Sequence, residues 1–467
     1  MSDVYIVHAS KDNEQTGIIV SLLSEHWDAW WDDNIVGDFA AAIEEQIQNT
    51  KCVILLWSAN AKNSIYVKDE LRLAQHYKNQ IIPIRLDNTV LPYGLGHLSA
   101  VDLTAWNGEA SHPNLQQLLR KITRVVPRRV PPVRPLAIAS GRLNLPALFL
   151  SVSSHETQLV PKEAVRALRV FGAPSILVSA YDLLPSRRPK GIIQELKRIK
   201  RQGGLILIDS GNYEATRRDD DTWKPNLFAE AMDGVSHDWA YCFDVMRPSP
   251  DKDRAVRQVI SAVERDSKAI SSMILPIVHA NRMHLGGYNT EDLPFVVREV
   301  ARTLQPPLVA VAERELGRGM IERAKTVRRI RRELDKLPYY QPIHVLGTGN
   351  PWSIGVLTAA GADSFDGLEW CRMAVDRETH RLNHYQHFDF FAFQARLAES
   401  AVTVSAVSDD KVDYAGKVAF HNLDYFREFA AELMNSAHSK RLEPMLVGLM
   451  GSDSTKQLRE HMPDLFT

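Results

Sequence analysis

Short apolar runs alternate with stretches of helical periodicity along almost all of this chain, and that rhythm restricts the fold more than any other feature. In the first part, runs at residues 4–8, 52–57 and 81–85 are separated by helical patterns such as 39–48 and 67–77. A run that is apolar at consecutive positions needs cover on both faces, and parallel strands need a crossover, usually a helix, to join them. An α/β fold with a doubly wound parallel sheet is therefore expected, with ligands bound beyond the carboxyl ends of its strands.

The rhythm continues with candidate strands at 147–152, 175–178, 205–209, 239–243, 274–278, 308–311, 343–346 and 364–365. Eight βα units over more than 300 residues predict a closed (β/α)8 barrel of the TIM type. Several of these runs end on a polar or acidic residue: Asp209, Asp244, His279, Glu313 and Asp366. The carboxyl ends of barrel strands are where catalytic side chains sit.

A proline-rich stretch, VVPRRVPPVRPLAIASG at 125–141, separates the two patterns. Prolines fix φ and remove backbone donors, so a semi-rigid extended connector is expected. The resulting division is 1–125, a connector at 126–141, and 142–467. The formal net charge of -1 excludes bulk electrostatic attraction to nucleic acid, though local patches remain open. Three widely spaced cysteines, Cys52, Cys242 and Cys371, cannot build a Cys-rich zinc site or a disulfide framework, and they fit a reducing compartment. The first residues, MSDVYIVHASKD, lack a basic and then apolar leader pattern, and no apolar run reaches ~20 residues. A cytoplasmic protein without membrane partners is expected.

Four segments of the first part, DVYIVHASKD, WWDDNIVGD, CVILLWSANAKNS and YVKDEL, occur in the order and spacing of TIR domains. Residues 1–125 resemble that family, which implies a flavodoxin-like sheet. It also implies either an adhesive signalling module or an enzyme that cleaves NAD at the nicotinamide–ribose bond, with NAD as substrate. The resemblance places the glutamate of the cleaving members at Glu70 and their preceding aromatic at Tyr66, where those enzymes more often have Trp. The i, i+4 spacing puts both side chains on one helix face. A carboxylate there would stabilise an oxocarbenium-like transition state. Ser10 and Lys11 fall where the family has nucleotide-facing loops. Ile35, Val36, Gly37 and Asp38 match the loop that reaches a neighbouring TIR domain. Without the resemblance, a glutamate in VKDEL would read as a solvated surface carboxylate.

Residues 145–435 resemble tRNA-guanine transglycosylases and their DNA-modifying relatives. The segments that carry this are IDSGNYE, YCFDVMRP, ILPIVHANR, VAVAE, HVLGTGNP, GADSFDGLEWCR and VAFHNLDYF, again in order. The family exchanges a base at a nucleoside, using one aspartate as nucleophile and another as acid/base. The resemblance assigns these roles to Asp366 and Asp209. It places Ser210, Tyr213, Asp244 and Glu313 around the base, with Asp244 at the base edge and Tyr213 stacking on it.

This chain departs from the family at several points. Asn212 and Glu214 replace Gly and Gln, His279-Ala280 replaces Gln-Gly, and GLEWCR stands where a Pro-Thr-Arg segment is usual. Asn212 is expected to intrude on the base. The family's zinc is held by three cysteines and a histidine. His421 matches the histidine, but residues 405–416 contain no cysteine, so no metal site and no structural zinc are expected.

Three further signals have two readings each. His380, His384, His387 and Asp389 could gather on one helix face to hold a metal, or belong to an exposed helix. Basic runs at 187–201 and 318–332 read as solvated outer helices or as a phosphate-binding surface. The GTGNP segment at 347–351 lacks a Walker lysine and reads as a turn offering backbone N–H groups.

Together these features suggest a prokaryotic, antiphage defence protein. An NAD-cleaving TIR effector would be controlled by a sensor barrel and activated by self-association, with filaments an option. The barrel ligand would be tRNA, DNA or a free nucleobase or nucleotide. The alternatives are a base-exchange enzyme carrying a scaffolding TIR domain, and a scaffold with both sites silent.

Overall fold

The structure is a computed structural model. It describes residues 2–24, 26–32, 39–109, 112–128, 130–155, 157–284 and 286–466. The loop residues Ile35, Val36, Gly37 and Asp38 lie outside the described residues. The chain divides into two compact units, Met1–Pro131 and Pro132–Thr467.

The first unit is a five-stranded parallel sheet built from β1 (Val4–Val7), β2 (Ala29–Trp30), β3 (Cys52–Trp57), β4 (Gln80–Arg85) and β5 (Val101–Asp102), in the order β2–β1–β3–β4–β5. The doubly wound expectation holds. Side chains on successive strand residues point to opposite faces. Val4, Ile6, Ile54 and Leu56 accordingly pack with α1 (Asn13–Ser24) and α5 (Pro113–Val125) on one face. Tyr5, Val7, Val53 and Leu55 pack with α2 (Phe39–Asn49), α3 (Ala59–Asn63) and α4 (Ile65–His76) on the other. The edge strands β2 and β5 are only two residues long, too short to leave a periodic signal.

The second unit begins with a small hairpin, β6 (Ala137–Ile138) and β7 (Leu143–Asn144), followed by β8 (Ala147–Val152), β9 (Ser175–Ser179), β10 (Leu205–Asp209) and β11 (Trp239–Tyr241). Strand five is split by Pro276 into β12 (Met273–Leu275) and β13 (Ile277–Val278). β12 pairs with β11, and β13 pairs with the sixth barrel strand. The missing proline N–H marks the break, and the ring closes covalently through that residue. After a short hairpin, β14 (Asn281–Arg282) and β15 (Tyr288–Asn289), come β16 (Val309–Ala312), β17 (Ile343–Leu346) and β18 (Ser364–Gly367), which pairs back to β8. All barrel pairings are parallel, as the rhythm predicts.

Phe149, Leu177, Leu207, Tyr241, Leu275 and Ala310 fill the barrel interior together with Leu143 and Leu145, so the hairpin beneath plugs the bottom. That leaves the carboxyl ends of the strands as the polar, open face. The proline-rich stretch is not a free connector over its second half. Arg134 Nε donates to Asp363 Oδ1 at 2.7 Å, and its Nη2 donates to the Ala362 carbonyl at 3.0 Å. Asp363 is fully buried and also accepts from Arg331 (2.8 Å), Tyr340 (2.6 Å) and the Ile343 N–H (2.8 Å). Prolines shape the backbone here, but an ion pair fixes it to the barrel.

The histidine-rich segment is not an α-helix. Arg381–His384 forms β20, paired with β19 (Met373–Asp376), and a short 3-10 helix, Tyr385–Phe390, follows with His387 and Asp389. His380 sits in the hairpin turn at φ 57°, with Nδ1 2.9 Å from the Tyr425 hydroxyl. A 3.6-residue periodicity argument cannot apply to a hairpin.

Candidate functional sites

In the first unit, Ser64 ends α3 and caps α4, its hydroxyl accepting from the Val67 N–H at 3.3 Å. This sets the helix phase, so Val67, Glu70, Leu71 and Ala74 form the buried stripe of α4. Glu70 is 6% exposed, whereas Tyr66 is 76% exposed. The expected pairing of the two on one face is therefore not seen: Glu70 turns toward the sheet and Tyr66 toward solvent. Around Glu70 stand the Tyr5 phenol and Asp32. Burial, reinforced by the Asp32 charge, pushes the Glu70 carboxyl up to about 8. Asp32 lies 3.3 Å from His8 Nδ1, and His8 Nε2 lies 2.8 Å from Asn13 Oδ1. Ser10 and Lys11 are exposed in the turn that follows β1. Asp12 ties this turn to the next strand's loop, accepting from Ser58 Oγ and Asn60 Nδ2, both at 2.6 Å. The carboxyl ends of β1 and β3 are thus joined beside the exposed turn, where a doubly wound sheet binds ligands.

In the second unit, a cavity of about 360 Å³ opens at the carboxyl ends of the strands, a volume in the range of small-ligand sites. It gathers Asp209, Tyr213, Asp244, Glu313 and Asp366 together with Glu214, His279 and Glu369, whereas Ser210, expected around the base, is buried and does not line it. Asp366 ends the last strand and accepts from Ser151 Oγ and the Gly347 N–H, both at 2.8 Å, with His344 Nε2 at 3.2 Å. The GTGNP turn therefore serves Asp366 through its first N–H. Asp209 is pushed up to about 7, first by burial and then by the charges of Asp244 and Asp366, against the Gly211 N–H that lowers it. A group near neutrality beside a hydrogen-bonded carboxylate suits acid/base work.

Asp244 accepts from Ser210 Oγ at 2.8 Å and from His279 Nε2 at 2.7 Å, and His279 Nδ1 lies 3.0 Å from Glu315. Glu214, deep in the pocket, accepts from Ser153 and Ser179, and burial with the Asp182 charge pushes it up. Glu313 is pushed up by burial and held partly in check by Arg323 at 2.9 Å. Tyr213 is half exposed, with the Arg314 guanidinium 4.1 Å over one ring face. That face is taken, so a base could stack only on the other.

Asn212 does not intrude. Its Nδ2 turns back to the Asp244 carbonyl at 3.0 Å. Gly211 allows this turn: its φ is +74°, and a Cβ there would lie 2.6 Å from the Tyr181 nitrogen. Ser151, Ser153 and Ser179 were missed, although their strand-end positions were a usable signal. His344 gave none, because it faces the interior from mid-strand. Arg372 donates to Glu369 at 2.6 Å and lines the cavity.

The zinc position has become an aromatic cluster. His421 is fully buried, its Nε2 2.8 Å from the Val375 carbonyl and its ring 5.3 Å from that of Phe388. Residues 405–416 supply none of the three cysteines, so the residues present do not fit the zinc site of the transglycosylases.

The basic runs form helices Ile192–Arg201 and Met320–Leu334. Many of their cations are paired: Arg198 with Glu195, Lys200 with Asp238, Arg331 with Asp363, and Arg328 and Arg332 with Asp464. No described helix is long and apolar enough to cross a membrane.

The family model described as TIR domain matches residues 4–119. The second unit is similar to tRNA-guanine(15) transglycosylases. The protein of Archaeoglobus fulgidus is 22% identical over 251 residues, 50% of this chain and 48% of its own length. That of Methanopyrus kandleri is 22% identical over 242 residues, half of each chain. The chain spans about half the length of these curated relatives. It thus joins an N-terminal TIR domain to a parallel α/β barrel resembling the tRNA-guanine transglycosylases.

Proposed function

We propose that the TIR domain cleaves NAD at the nicotinamide–ribose bond, with Glu70 as its carboxylate, and that the barrel pocket binds a nucleobase or nucleotide and controls it. The observation that carries this reading is the burial of Glu70 at the ligand-binding end of the sheet, beside Tyr5 and Asp32. A carboxyl held near 8 is mostly neutral at pH 7. A cationic nicotinamide drawn against it would favour its ionised form. The C1′–N bond then breaks with its electron pair leaving on nicotinamide, the carboxylate stabilises the cationic sugar, and water adds at C1′ while the Glu70 carboxylate takes up its proton.

Ser10 and Lys11 would face the nucleotide, with Tyr66 available from the exposed helix turn. The loop of Ile35, Val36, Gly37 and Asp38 would complete a neighbour's site, so activation is self-association, and a head-to-tail contact would propagate as a filament. In this reading the chain is a cytoplasmic, prokaryotic antiphage defence protein of three segments: the TIR domain at 1–125, a junction at 126–141 and the sensor barrel at 142–467. The test is NAD consumption by wild type, Glu70→Ala and Asp366→Ala, with and without phage lysate or cellular RNA. Loss in Glu70→Ala alone under forced assembly supports the reading. NAD left untouched in every condition refutes it.

One observation favours a second reading, base exchange at the barrel on tRNA or DNA. Asp209, poised near 7, shares the pocket with Asp366. Incorporation of labelled guanine into RNA or DNA, lost in Asp366→Ala, would support it.

A further inference from the structure

His279 stands where the transglycosylases usually carry glutamine, and its surroundings give it a definite protonation state. Both ring nitrogens face carboxylates, Nε2 at 2.7 Å from Asp244 and Nδ1 at 3.0 and 3.1 Å from the two oxygens of Glu315. A neutral imidazole has one donor and one acceptor nitrogen, so one of these contacts would set lone pair against lone pair. With both carboxylates ionised, only the imidazolium satisfies both. Glu315 is itself fixed by the Ala280 N–H at 2.9 Å, and all three side chains are buried. Burial alone would push His279 down, but the two carboxylates outweigh it and hold it up at about 10. Asp244 responds in the opposite sense: burial raises it, but His279 and Ser210 bring it below the usual carboxylate range.

We infer that His279, braced by Glu315, is the positioning residue that locks Asp244 as an ionised, acceptor-only group and thereby sets which base edge the pocket takes. This rests on the reading of the barrel cavity as a base-binding site. A carboxylate fixed at two points accepts paired N–H donors, such as N1–H and the exocyclic amine of guanine. It repels adenine, whose N1 is an acceptor. Sites built on such polar complementarity discriminate strongly, because a mismatched base leaves a buried group unpaired. Without the imidazolium, burial would protonate Asp244, and a carboxylic acid can donate to adenine N1 as well as accept. Selectivity would then collapse even though the pocket keeps its shape. The other charges around this triad are Arg314, 3.9 Å from Glu315, and Asp209 and Arg265, which act on Asp244 or feel its charge. None of these replaces the direct contact.

The experiment is calorimetric binding of guanine, hypoxanthine and adenine to the full-length wild type, His279→Leu and Glu315→Gln, with near-UV circular dichroism to establish that each variant is folded. Wild type is expected to prefer guanine over adenine by at least about tenfold, with hypoxanthine between. That preference should fall about tenfold or more in His279→Leu, which leaves Asp244 no ring donor, and move the same way in Glu315→Gln. If His279→Leu does not fold, Glu315→Gln carries the test alone. Unchanged selectivity in the folded variants overturns the role of His279 and leaves the pocket reading standing. A folded wild type that binds none of the three bases overturns the pocket reading and this inference with it.

Discussion

Replacing Glu70 by Gln should make the TIR domain less sensitive to pH. The carboxyl is buried, and its folded-state value of about 8 stands against 4.5 for an unperturbed glutamate. A raised carboxyl binds its proton more tightly in the folded state. Its contribution is therefore fully present below about pH 4.5 and is lost as the pH climbs toward 8. At pH 7 the penalty comes to about 3 kcal/mol, and at pH 5 to about 1 kcal/mol, taking 1.36 kcal/mol per pH unit. The wild-type domain should lose about 2 kcal/mol between those two pH values through this group alone. Hydrogen exchange by mass spectrometry isolates the effect, because it reports opening of β1, β3 and α4 separately from the barrel. After correction for intrinsic exchange rates, protection in these elements should fall roughly 30-fold or more from pH 5 to pH 7 in wild type, beyond any change in Glu70→Gln. Equal pH dependence in the two proteins would show that Glu70 is solvated, and the electrostatic argument for its role would fail.

Asp363→Ala should cost about 3–5 kcal/mol, since it leaves Arg134 and Arg331 without their shared buried carboxylate, and denaturant unfolding of the barrel would show it. Gly367→Ala should destabilise the barrel by about 1–3 kcal/mol and impair base binding in titrations, because a Cβ there would lie 2.4 Å from the Gly349 Cα at the cavity wall. If the barrel exchanges bases, Asp209→Asn should remove a limb near pH 7 from its pH–rate profile. A limb unmoved by the substitution would assign that titration to another group.

The barrel was legible because its strands are buried on both faces and so leave short, mostly apolar runs, such as 205–208 and Val309–Ala312. Its acidic strand ends were legible for the same reason: Asp209 and Asp366 are the last or nearly last residues of such runs. What sequence spacing misjudged was local. Tyr66 and Glu70 are four residues apart on one helix, yet the cap at Ser64 phases α4 so that only Glu70 joins the buried stripe. The histidines at 380–387 mimic α-helical spacing, yet the pairing of β19 with β20 puts His380 and His384 in a hairpin, and His387 falls in the 3-10 helix after it. The proline-rich stretch reads as a semi-rigid extended connector, and its anchoring to the barrel is not legible because Asp363 lies more than 200 residues further on. Long-range pairing of this kind leaves no trace in a local window.

In the readings proposed above, the two candidate sites would meet the same physical demand by different means. Cleaving a bond from a sugar's anomeric carbon to a base nitrogen needs a carboxylate beside a developing positive charge, and burial opposes that carboxylate until the charge arrives. Among the described residues, none of the groups that shift the Glu70 carboxyl is a cation, so in the proposed reading the ligand would supply the charge. In the barrel, the protein supplies part of it. Gly347 and Ser151 donate to Asp366, and the His279 imidazolium holds Asp244 ionised, while Asp209 is left near neutrality. A site whose carboxylate waits for its ligand's charge is poorly suited to act before assembly has excluded water, whereas one with its charges already fixed can recognise a base at any time. In the proposed reading, that asymmetry would give recognition to the barrel and the response to the TIR domain.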